Sequence, residues 1–331
     1  MITFIQMPSV PFDWMVQRPQ QIMTKLAGHG YKVYYFDNKS TSGIVQKEPN
    51  LNVVGSNYSL SNIEYEGSVV LWCSSPDQVL NVDKIPHDYI VYDVVDDASN
   101  EFIGWQPYIN KMLERAHIVF TTADRLYEKF KMFHPKVYLL NNAVNLNNFS
   151  LSKIEKPKDL PTFRPIVGYM GAVASWIDWD IVDSITKQSR YNFVFIGPFY
   201  NGFKPRLIKS NIYYLGIKDY DKLPYYVNNF RCCIIPFKVN DMTNSCNPVK
   251  LYEYFSLGKP VVTTNMKEIH KFSELCYIAN NAEEFKRYID RAINEKSSEL
   301  INKRIITAGQ NSWDSRINSI KNILYDEFHI S

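Results

Sequence analysis

The sequence has 331 residues, too many for one comfortable hydrophobic core, so two domains of roughly 150 residues each are expected. Hydrophobic residues make up 45% of the chain and charged residues 21%, as in an ordinary soluble globular protein. The chain has 37 basic and 34 acidic residues and a net charge of +3, which argues against a chain-wide positive field that would bind nucleic acid.

The cysteines and the N-terminal segment indicate a cellular location. The five cysteines are odd in number and scattered without metal-ligand spacing, which predicts a reducing compartment and no metal site. The first residues lack the basic region of a signal peptide, and a proline ends their apolar run. No stretch approaches the roughly 20 apolar residues that span a bilayer. We therefore expect a cytoplasmic protein.

Short apolar runs alternate with longer amphipathic segments, which predicts parallel sheets with helical crossovers. In the first half, strands are predicted at Ile2–Gln6, Lys32–Phe36, Val69–Trp72, Tyr89–Asp93, His117–Thr121 and Val137–Leu140. Helices are predicted there at Pro19–Ala27, Tyr108–Arg115 and Ala123–Phe133.

The stretch from Ser150 to Pro165 interrupts this alternation with charges and three prolines, and we place an interdomain linker at 153–165. Later strands are predicted at Ile166–Met170, Asn192–Ile196, Asn211–Leu215, Cys232–Pro236, Val261–Thr264 and Tyr277–Ala279. Later helices are predicted at Asp178–Gln188, Asp221–Asn229, Val249–Leu257, Ala282–Asn294, Ser297–Ala308 and Trp313–Phe328. The spacing of the last helix puts four apolar residues on one face: Trp313, Ile317, Ile320 and Leu324.

The most distinctive segment, residues 247–262, predicts a loop that enters a helix with proline near its first turn, then a glycine stop and a buried strand. The N–H groups at such a helix start suit a diphosphate, and Lys250 adds a positive charge there. Glu253, one turn further on, can accept both hydroxyls of a ribose. The alternative is an ordinary surface helix on which both side chains are solvated.

Loops that follow strands are where doubly wound domains bind ligands. Asp93, Asp96 and Asp97 follow one predicted strand, and a carboxylate there can take the proton of an acceptor hydroxyl. The alternative is that Asp96 or Asp97 caps the next helix. Trp14 offers a platform for stacking a sugar, with Arg18 nearby, or else covers the edge of the core.

Two glycines follow predicted strands of the second half. Gly171 ends the first of these strands, where a side chain would crowd a phosphate, and Gly197 has the same position after the next strand. Tyr220 follows a third predicted strand. It is expected either near the base of a bound nucleotide or packed against other side chains.

Together these motifs resemble the retaining GT-B glycosyltransferases of group 1 (GT4-like), especially the bacterial polysaccharide and teichuronic-acid biosynthesis type. Their donor-binding signature, Pro-x-Lys-x-x-Glu-Tyr-x-x-x-Gly-Lys-Pro-Val-Val, matches residues 248–262. The resemblance covers nearly the whole chain. Its other segments, in chain order, are Trp14 with Arg18-Pro19-Gln20, Tyr92–Asp97, Leu140–Asn145, Gly168–Gly171 with Trp176 and Asp178, Gly197-Pro198, Leu215-Gly216 with Leu223-Pro224, and Asn311–Trp313 with Arg316.

The resemblance implies an α/β protein with two doubly wound Rossmann-like domains that face each other across a cleft. Residues 1–152 would form the acceptor-binding domain and residues 166–310 the nucleotide-sugar-binding domain. Residues 311–331 would form a helix that crosses back onto the first domain.

The implied reaction moves a sugar from a nucleotide-diphosphate sugar, with uridine the favoured base, to a saccharide or lipid-linked saccharide in cell-surface polysaccharide synthesis. Retention of configuration is expected. We expect no metal and no cofactor beyond the donor. Peripheral contact with the inner membrane leaflet is a further hypothesis, and the basic residues Lys129, Lys131 and Lys136 would assist it. The alternative is that these lysines lie on a solvated helix face.

The resemblance also implies a set of site residues. The catalytic candidates are Asp96 and Asp97, and the acceptor-binding candidates are Trp14, Arg18 and Asp93. The donor-binding candidates are Gly171, Trp176, Gly197, Pro198, Tyr220, Ser245, Cys246, Asn247, Pro248, Val249, Lys250, Leu251 and Glu253.

One position departs from the pattern. Many of these enzymes carry a second glutamate eight residues before the one that matches Glu253, and Ser245 occupies that position here. This departure motivates a non-enzyme alternative, a catalytically silent GT-B subunit that binds a partner transferase. A nucleotide-sugar epimerase is the other enzyme hypothesis.

Overall fold

The computed structural model describes residues 2–39, 43–58, 63–149, 152, 155–205 and 207–330. Its contacts divide the chain into two compact units. The first unit comprises Met1–Asn142, Ser245–Asn247 and Trp313–Ser331, and the second comprises Ala143–Asn244 and Pro248–Ser312.

The described residues form the following strands and helices. The strands are β1 (Ile2–Gln6), β2 (Lys32–Phe36), β3 (Ile44–Glu48), β4 (Leu51–Val54), β5 (Ser68–Cys73), β6 (Tyr89–Val94), β7 (Ile118–Thr121), β8 (Val137–Leu139), β9 (Ile166–Met170), β10 (Asn192–Ile196), β11 (Ile212–Tyr214), β12 (Cys232–Ile235), β13 (Val261–Thr264) and β14 (Cys276–Ala279). The α-helices are α1 (Arg18–Gly28), α2 (Gln106–Arg115), α3 (Asp124–Phe130), α4 (Trp179–Thr186), α5 (Leu223–Asn228), α6 (Asp241–Asn244), α7 (Val249–Ser256), α8 (Ala282–Ile293), α9 (Ser298–Gln310) and α10 (Trp313–Phe328).

The first unit is built on a sheet ordered β3-β4-β2-β1-β5-β6-β7-β8. Its strands are parallel except β3, which pairs antiparallel with β4 at the edge. The central strands are buried on both faces, as the apolar runs predict for a sheet covered by helices. The final helix, α10, belongs to this unit and packs against α1. Its four predicted apolar positions are all buried, which confirms the predicted face.

The second unit is built on a parallel sheet ordered β11-β10-β9-β12-β13-β14. Helix α7 packs against α9, and α8 packs against α4 and the last strands. In both sheets the strand order departs from the chain order, so both are doubly wound. The predicted α/β class with two doubly wound sheets is confirmed.

The structure adds elements that the sequence pattern does not predict. Strand β3 is mostly exposed and polar, and an asparagine interrupts the apolar residues of β4, so neither shows the apolar run of a buried strand. Helix α3 ends at Phe130, before the predicted end at Phe133, because the chain turns ahead of Pro135.

The boundary between the compact units falls between Asn142 and Ala143, before the proline-rich stretch. Val144 belongs to the second unit, and its backbone N–H donates a hydrogen bond of 3.0 Å to the carbonyl of Asn311 in the same unit. Of the predicted linker, Lys153 and Ile154 lie outside the described residues.

Candidate functional site

The sheet of the second unit has its topological switch point between β9 and β12. From β9 the chain adds β10 and β11 on one side, then returns to the other side of β9 to add β12. Connections on the two sides of such a point diverge, and ligands of doubly wound domains bind in the crevice beyond the carboxyl ends of the strands there. This topology directs attention to the residues that follow β9 and β12.

Two glycines shape the loops at this edge of the sheet. Gly171 follows β9 with φ of 132°, and Gly197 follows β10 with φ of 145°. A Cβ atom on Gly197 would lie 2.0 Å from the carbonyl oxygen of Gly171, and one on Gly171 would lie 2.9 Å from Cε of Lys250. The positive φ favours glycine at both positions, and at Gly197 a side chain would also collide with the backbone of the other turn. Two backbone turns and a lysine side chain therefore approach closely here.

Lys250, the second residue of α7, brings a positive charge to the switch point. Its Nζ atom lies 3.0 Å from the place a Cβ atom would take on Gly171. The same atom lies 5.0 Å from the ring centroid of Tyr169 in β9 and 4.6 Å from that of Phe237, just after β12. The lysine therefore contacts residues from both strands that flank the crevice.

Glu253 lies one helical turn after Lys250, on the same face of α7. Only 4% of its surface is exposed, and its Oε1 atom accepts a hydrogen bond of 3.0 Å from the hydroxyl of Tyr220. Burial raises the pKa of its carboxyl group to about 7, against the opposing effects of the Tyr220 hydrogen bond and the charge of Lys250. A solvated surface helix is therefore the wrong interpretation of this segment, because Glu253 is buried beside a specific partner.

The remaining predicted donor residues of the second unit have varied surroundings. Trp176 is half-buried, and its ring lies 5.2 Å from the ring of Tyr200. The carbonyl of Pro198 accepts a hydrogen bond of 2.9 Å from the N–H of Val173. Leu251 is fully buried in the core, because it points away from the face that carries Lys250 and Glu253. Pro248 and Val249 form the start of α7.

The three residues just before Pro248, Ser245–Asn247, belong to the first unit. Ser245 and Asn247 are each 1% exposed, and Cys246 is half-buried. The side-chain oxygen of Asn247 accepts a hydrogen bond of 3.0 Å from the backbone N–H of Asn142. The side-chain amide of Asn142 donates in turn to the backbone carbonyl of Asn247 at 2.6 Å.

In the first unit, Arg18 and Asp93 form a buried ion pair. Their side chains are 4% and 0% exposed, and the guanidinium bonds both carboxylate oxygens at 2.8–3.0 Å. The indole N–H of Trp72 donates to the same carboxylate at 3.1 Å, and Arg18 also donates to the carbonyl of Leu140 and the side chain of Asn142. Both were predicted to bind the acceptor, but this burial favours a role in positioning neighbouring loops.

The other predicted residues of the first unit are less deeply buried than Arg18 and Asp93. Asp97 is 7% exposed and forms an ion pair of 2.8 Å with Lys129. Asp96 and Trp14 are half-buried. Among the residues that the structure describes, no group of three or more His, Cys, Asp or Glu side chains could hold a metal ion.

Sequence reasoning assigned no role to four residues that the structure places in these networks. Tyr169 and Trp72 lie in strands that the sequence predicts, Tyr169 within the Gly168–Gly171 motif, whereas Phe237 follows β12 and had no signal in the sequence. Asn142 falls inside the Leu140–Asn145 motif, which was the available signal for it.

Comparison with known sequences gives one informative relative. No family model matches the chain. A stretch of 175 residues is 25% identical to TuaH of Bacillus subtilis (strain 168), a protein itself assigned by inference as a teichuronic acid biosynthesis glycosyltransferase. The match covers 50% of this chain and 44% of TuaH, so it spans less than half of that relative.

Comparison with solved structures covers the chain from end to end. Sucrose-phosphate synthase from Thermosynechococcus elongatus superposes with a TM-score of 0.75 at 12% identity over 100% of both chains. WaaG, a glycosyltransferase involved in lipopolysaccharide biosynthesis, gives 0.64 at 12% identity over 98% of this chain and 99% of its own. The trehalose-6-phosphate protein of E. coli, solved with UDP-2-fluoro glucose bound, gives 0.67 at 9% identity over 97% and 98%.

These likenesses show that the chain has the GT-B fold, as predicted. The predicted resemblance to GT-B glycosyltransferases is confirmed, and fold and sequence relative together support the predicted enzyme class. Fold alone does not identify an activity, which has to be argued from the site.

Proposed function

We propose that this GT-B chain is a glycosyltransferase that moves a sugar from a nucleoside-diphosphate sugar, with uridine as the base, to a saccharide or lipid-linked saccharide. The observation that carries the proposal is the pairing of Lys250 and Glu253 on one face of α7, with Lys250 against the Gly171 turn at the switch point.

The chemistry of these two side chains suits the two ends of a nucleoside diphosphate. Lys250, the N–H groups at the start of α7 and the turns at Gly171 and Gly197 can bind the diphosphate and offset its charge as the sugar leaves. Glu253 can accept hydrogen bonds from the two ribose hydroxyls, while Tyr220 orients its carboxylate. The protein then supplies positioning and charge rather than a nucleophile.

On the acceptor side, Asp96 is the stronger candidate for contact with the acceptor hydroxyl. Asp97 is paired with Lys129, which favours a structural role for it. Arg18 and Asp93 are proposed to position the loops around Asp96 and Asn142 rather than to bind the acceptor. Trp14 remains proposed as a stacking surface.

The substrate classes are inferred from the relatives. The E. coli neighbour was solved with a UDP-linked sugar, and TuaH is assigned to teichuronic acid biosynthesis, which supports a uridine donor and a cell-surface polysaccharide product. Among the described residues no helix is both long and apolar enough to cross a bilayer. We propose a cytoplasmic enzyme that meets lipid-linked acceptors by peripheral contact with the inner leaflet.

A thermal-shift panel of UDP, GDP, dTDP and CMP tests the donor site. UDP at saturating concentration should raise the melting temperature of the wild type by several degrees, and Glu253→Ala should abolish this shift. Glu299→Ala is the matched control, since that exposed carboxylate lies in the same unit and should leave the shift intact.

Turnover separates the remaining alternatives. Transfer of labelled sugar from the responding donor to a saccharide or lipid extract would support the transferase, and conversion of donor without acceptor would favour an epimerase. Donor binding without turnover on any acceptor would favour the silent subunit that Ser245 suggests. No response to any nucleotide would contradict the proposed donor site.

A further inference from the structure

Two aromatic rings contact the ammonium group of Lys250. The ring centroids of Tyr169 and Phe237 lie 5.0 Å and 4.6 Å from Nζ. The two rings meet edge to face with their centroids 6.3 Å apart, and their residues are 0% and 4% exposed. A cation within about 6 Å of a ring centroid is attracted by the ring quadrupole, most strongly where water is excluded. We call these two rings the aromatic cage.

The cage joins the two sides of the switch point. Tyr169 lies in β9 and Phe237 follows β12, and these strands are hydrogen-bonded neighbours. The hydroxyl of Tyr169 also donates to the carbonyl of Ala172 at 2.8 Å, which braces the turn that contains Gly171. One side chain thus contacts the lysine and holds the glycine turn beside it.

The cage restricts the side chain of Lys250. A lysine side chain has four rotatable carbon–carbon bonds and loses rotamer entropy when it binds an anion. Packing against two buried rings removes part of this freedom in advance.

We propose that Tyr169 and Phe237 are positioning residues that present the Lys250 ammonium to the diphosphate of the donor. This inference rests on the proposed function. The two rings act through Lys250 rather than on the sugar or the base, so their loss should weaken recognition of phosphate and leave recognition of the nucleoside unchanged.

A double-mutant cycle on the full chain tests this role. Calorimetric titration with UDP should show about tenfold weaker binding for Phe237→Leu than for the wild type. Lys250→Met should weaken binding at least as much, and adding Phe237→Leu to it should cause no further loss, because the ring acts through the lysine. Phe272→Leu, which alters another buried ring of the same unit, should leave UDP affinity unchanged.

Two further measurements separate positioning from general damage. Tyr169→Phe keeps the ring and removes the hydroxyl, so it should retain most of the UDP affinity. In NMR spectra, the Lys250 ε-methylene should show a ring-current shift that Phe237→Leu reduces, with or without nucleotide.

Additive losses in the cycle, or equal weakening of UDP and uridine by Phe237→Leu, would overturn the inference. A missing ring-current shift would overturn it alone and leave the donor assignment standing. Absence of UDP binding by the wild type, with the ring-current shift present, would instead overturn the proposed function, and the role of the cage with it.

Discussion

Glu253, which we propose binds the ribose of the donor, can reduce the stability of its own fold. The residue is 4% exposed, and burial raises the pKa of its carboxyl group to about 7. Near neutral pH the group is therefore divided between a neutral form, which burial favours, and a carboxylate, which ribose hydroxyls can bind. The free protein and the complex favour different protonation states, so pH should act on stability and on binding in opposite directions.

We expect the contribution of Glu253 to stability to fall as pH rises. Between its ordinary pKa and about 7 the folded state holds the proton more tightly than the unfolded state, so unfolding releases a proton and the free energy of unfolding decreases with pH. Once the pH has risen past about 7, the free energy of unfolding has fallen by about 3 kcal/mol in total. Glu253→Gln should remove this dependence, and urea unfolding at pH 5 and pH 8 would measure it. Equal pH slopes for both proteins would contradict the raised pKa.

The affinity for UDP should show the opposite pH dependence. In the proposed complex the carboxylate form of Glu253 accepts hydrogen bonds from the ribose hydroxyls, so binding should strengthen as pH rises through about 7. Titration calorimetry between pH 6 and pH 8 would follow this change. Glu253→Gln should bind weakly and without this pH dependence, and an unaltered pH profile in that variant would exclude Glu253 as the titrating group.

Gly197 should tolerate no side chain. Gly197→Ala would place Cβ 2.0 Å from the carbonyl oxygen of Gly171 at a φ of 145°, so both the turn and the Lys250 contact must move. We expect destabilisation by more than about 2 kcal/mol and loss of the UDP response. Gly309→Ala is the control: it lies in α9 of the same unit with no atom near its Cβ, and it should stabilise the protein by up to about 1 kcal/mol. Thermal unfolding distinguishes the two, and equal effects would refute the steric argument.

At the scale of elements, the ion pair of Arg18 and Asp93 connects α1 to β6. Arg18 begins α1, Asp93 lies in β6, and the further donations of Arg18 reach Leu140 and Asn142 after β8. A buried pair of this kind contributes little to net stability compared with apolar packing, but breaking it leaves a charge in the core. It therefore favours one arrangement of three segments that are far apart in the chain.

Removal of one partner of this buried pair should lower the free energy of unfolding much more than removal of one partner of an exposed pair. Arg18→Met leaves Asp93 buried without its cation and should destabilise the first unit by about 3–5 kcal/mol. Arg18→Met with Asp93→Asn should be less damaging than Arg18→Met alone. Lys25→Met breaks the more exposed pair of α1 with Asp314 and should cost about 1 kcal/mol or less. Urea unfolding of the three variants measures this; a double variant no more stable than Arg18→Met alone would contradict the interpretation.

At the scale of the whole molecule, the last residues of the chain complete the first unit. Helix α10 packs against α1, with its apolar face buried and Lys25 bonded to Asp314 at its start. The first unit therefore lacks part of its packing until the end of the chain is present. Folding of that unit depends on contacts between the two ends of the sequence, which form slowly because the loop that they close is long.

A charge in the buried face of α10 should unfold the first unit selectively. Ile320→Asp places a carboxylate at a fully buried position and should destabilise by more than about 4 kcal/mol. Ser319→Asp adds the same charge on the exposed side of the same helix and should change stability by about 0.5 kcal/mol or less. Hydrogen exchange should rise in α1 and the first sheet for Ile320→Asp only. Faster exchange confined to the second unit would contradict this assignment of α10.

The sequence by itself determined the class of fold, most strands and helices, and the position of Lys250 and Glu253 on one face of a helix. These follow from local regularities: the spacing of apolar residues, the positions of proline and glycine, and the geometry of a helical turn. The tertiary structure alone decided the burial of Glu253, the ion pair of Arg18 with Asp93 and the contact of Phe237 with Lys250. Each depends on which strands become neighbours and how their loops end, and side chains far apart in the chain meet only after the sheet order is set.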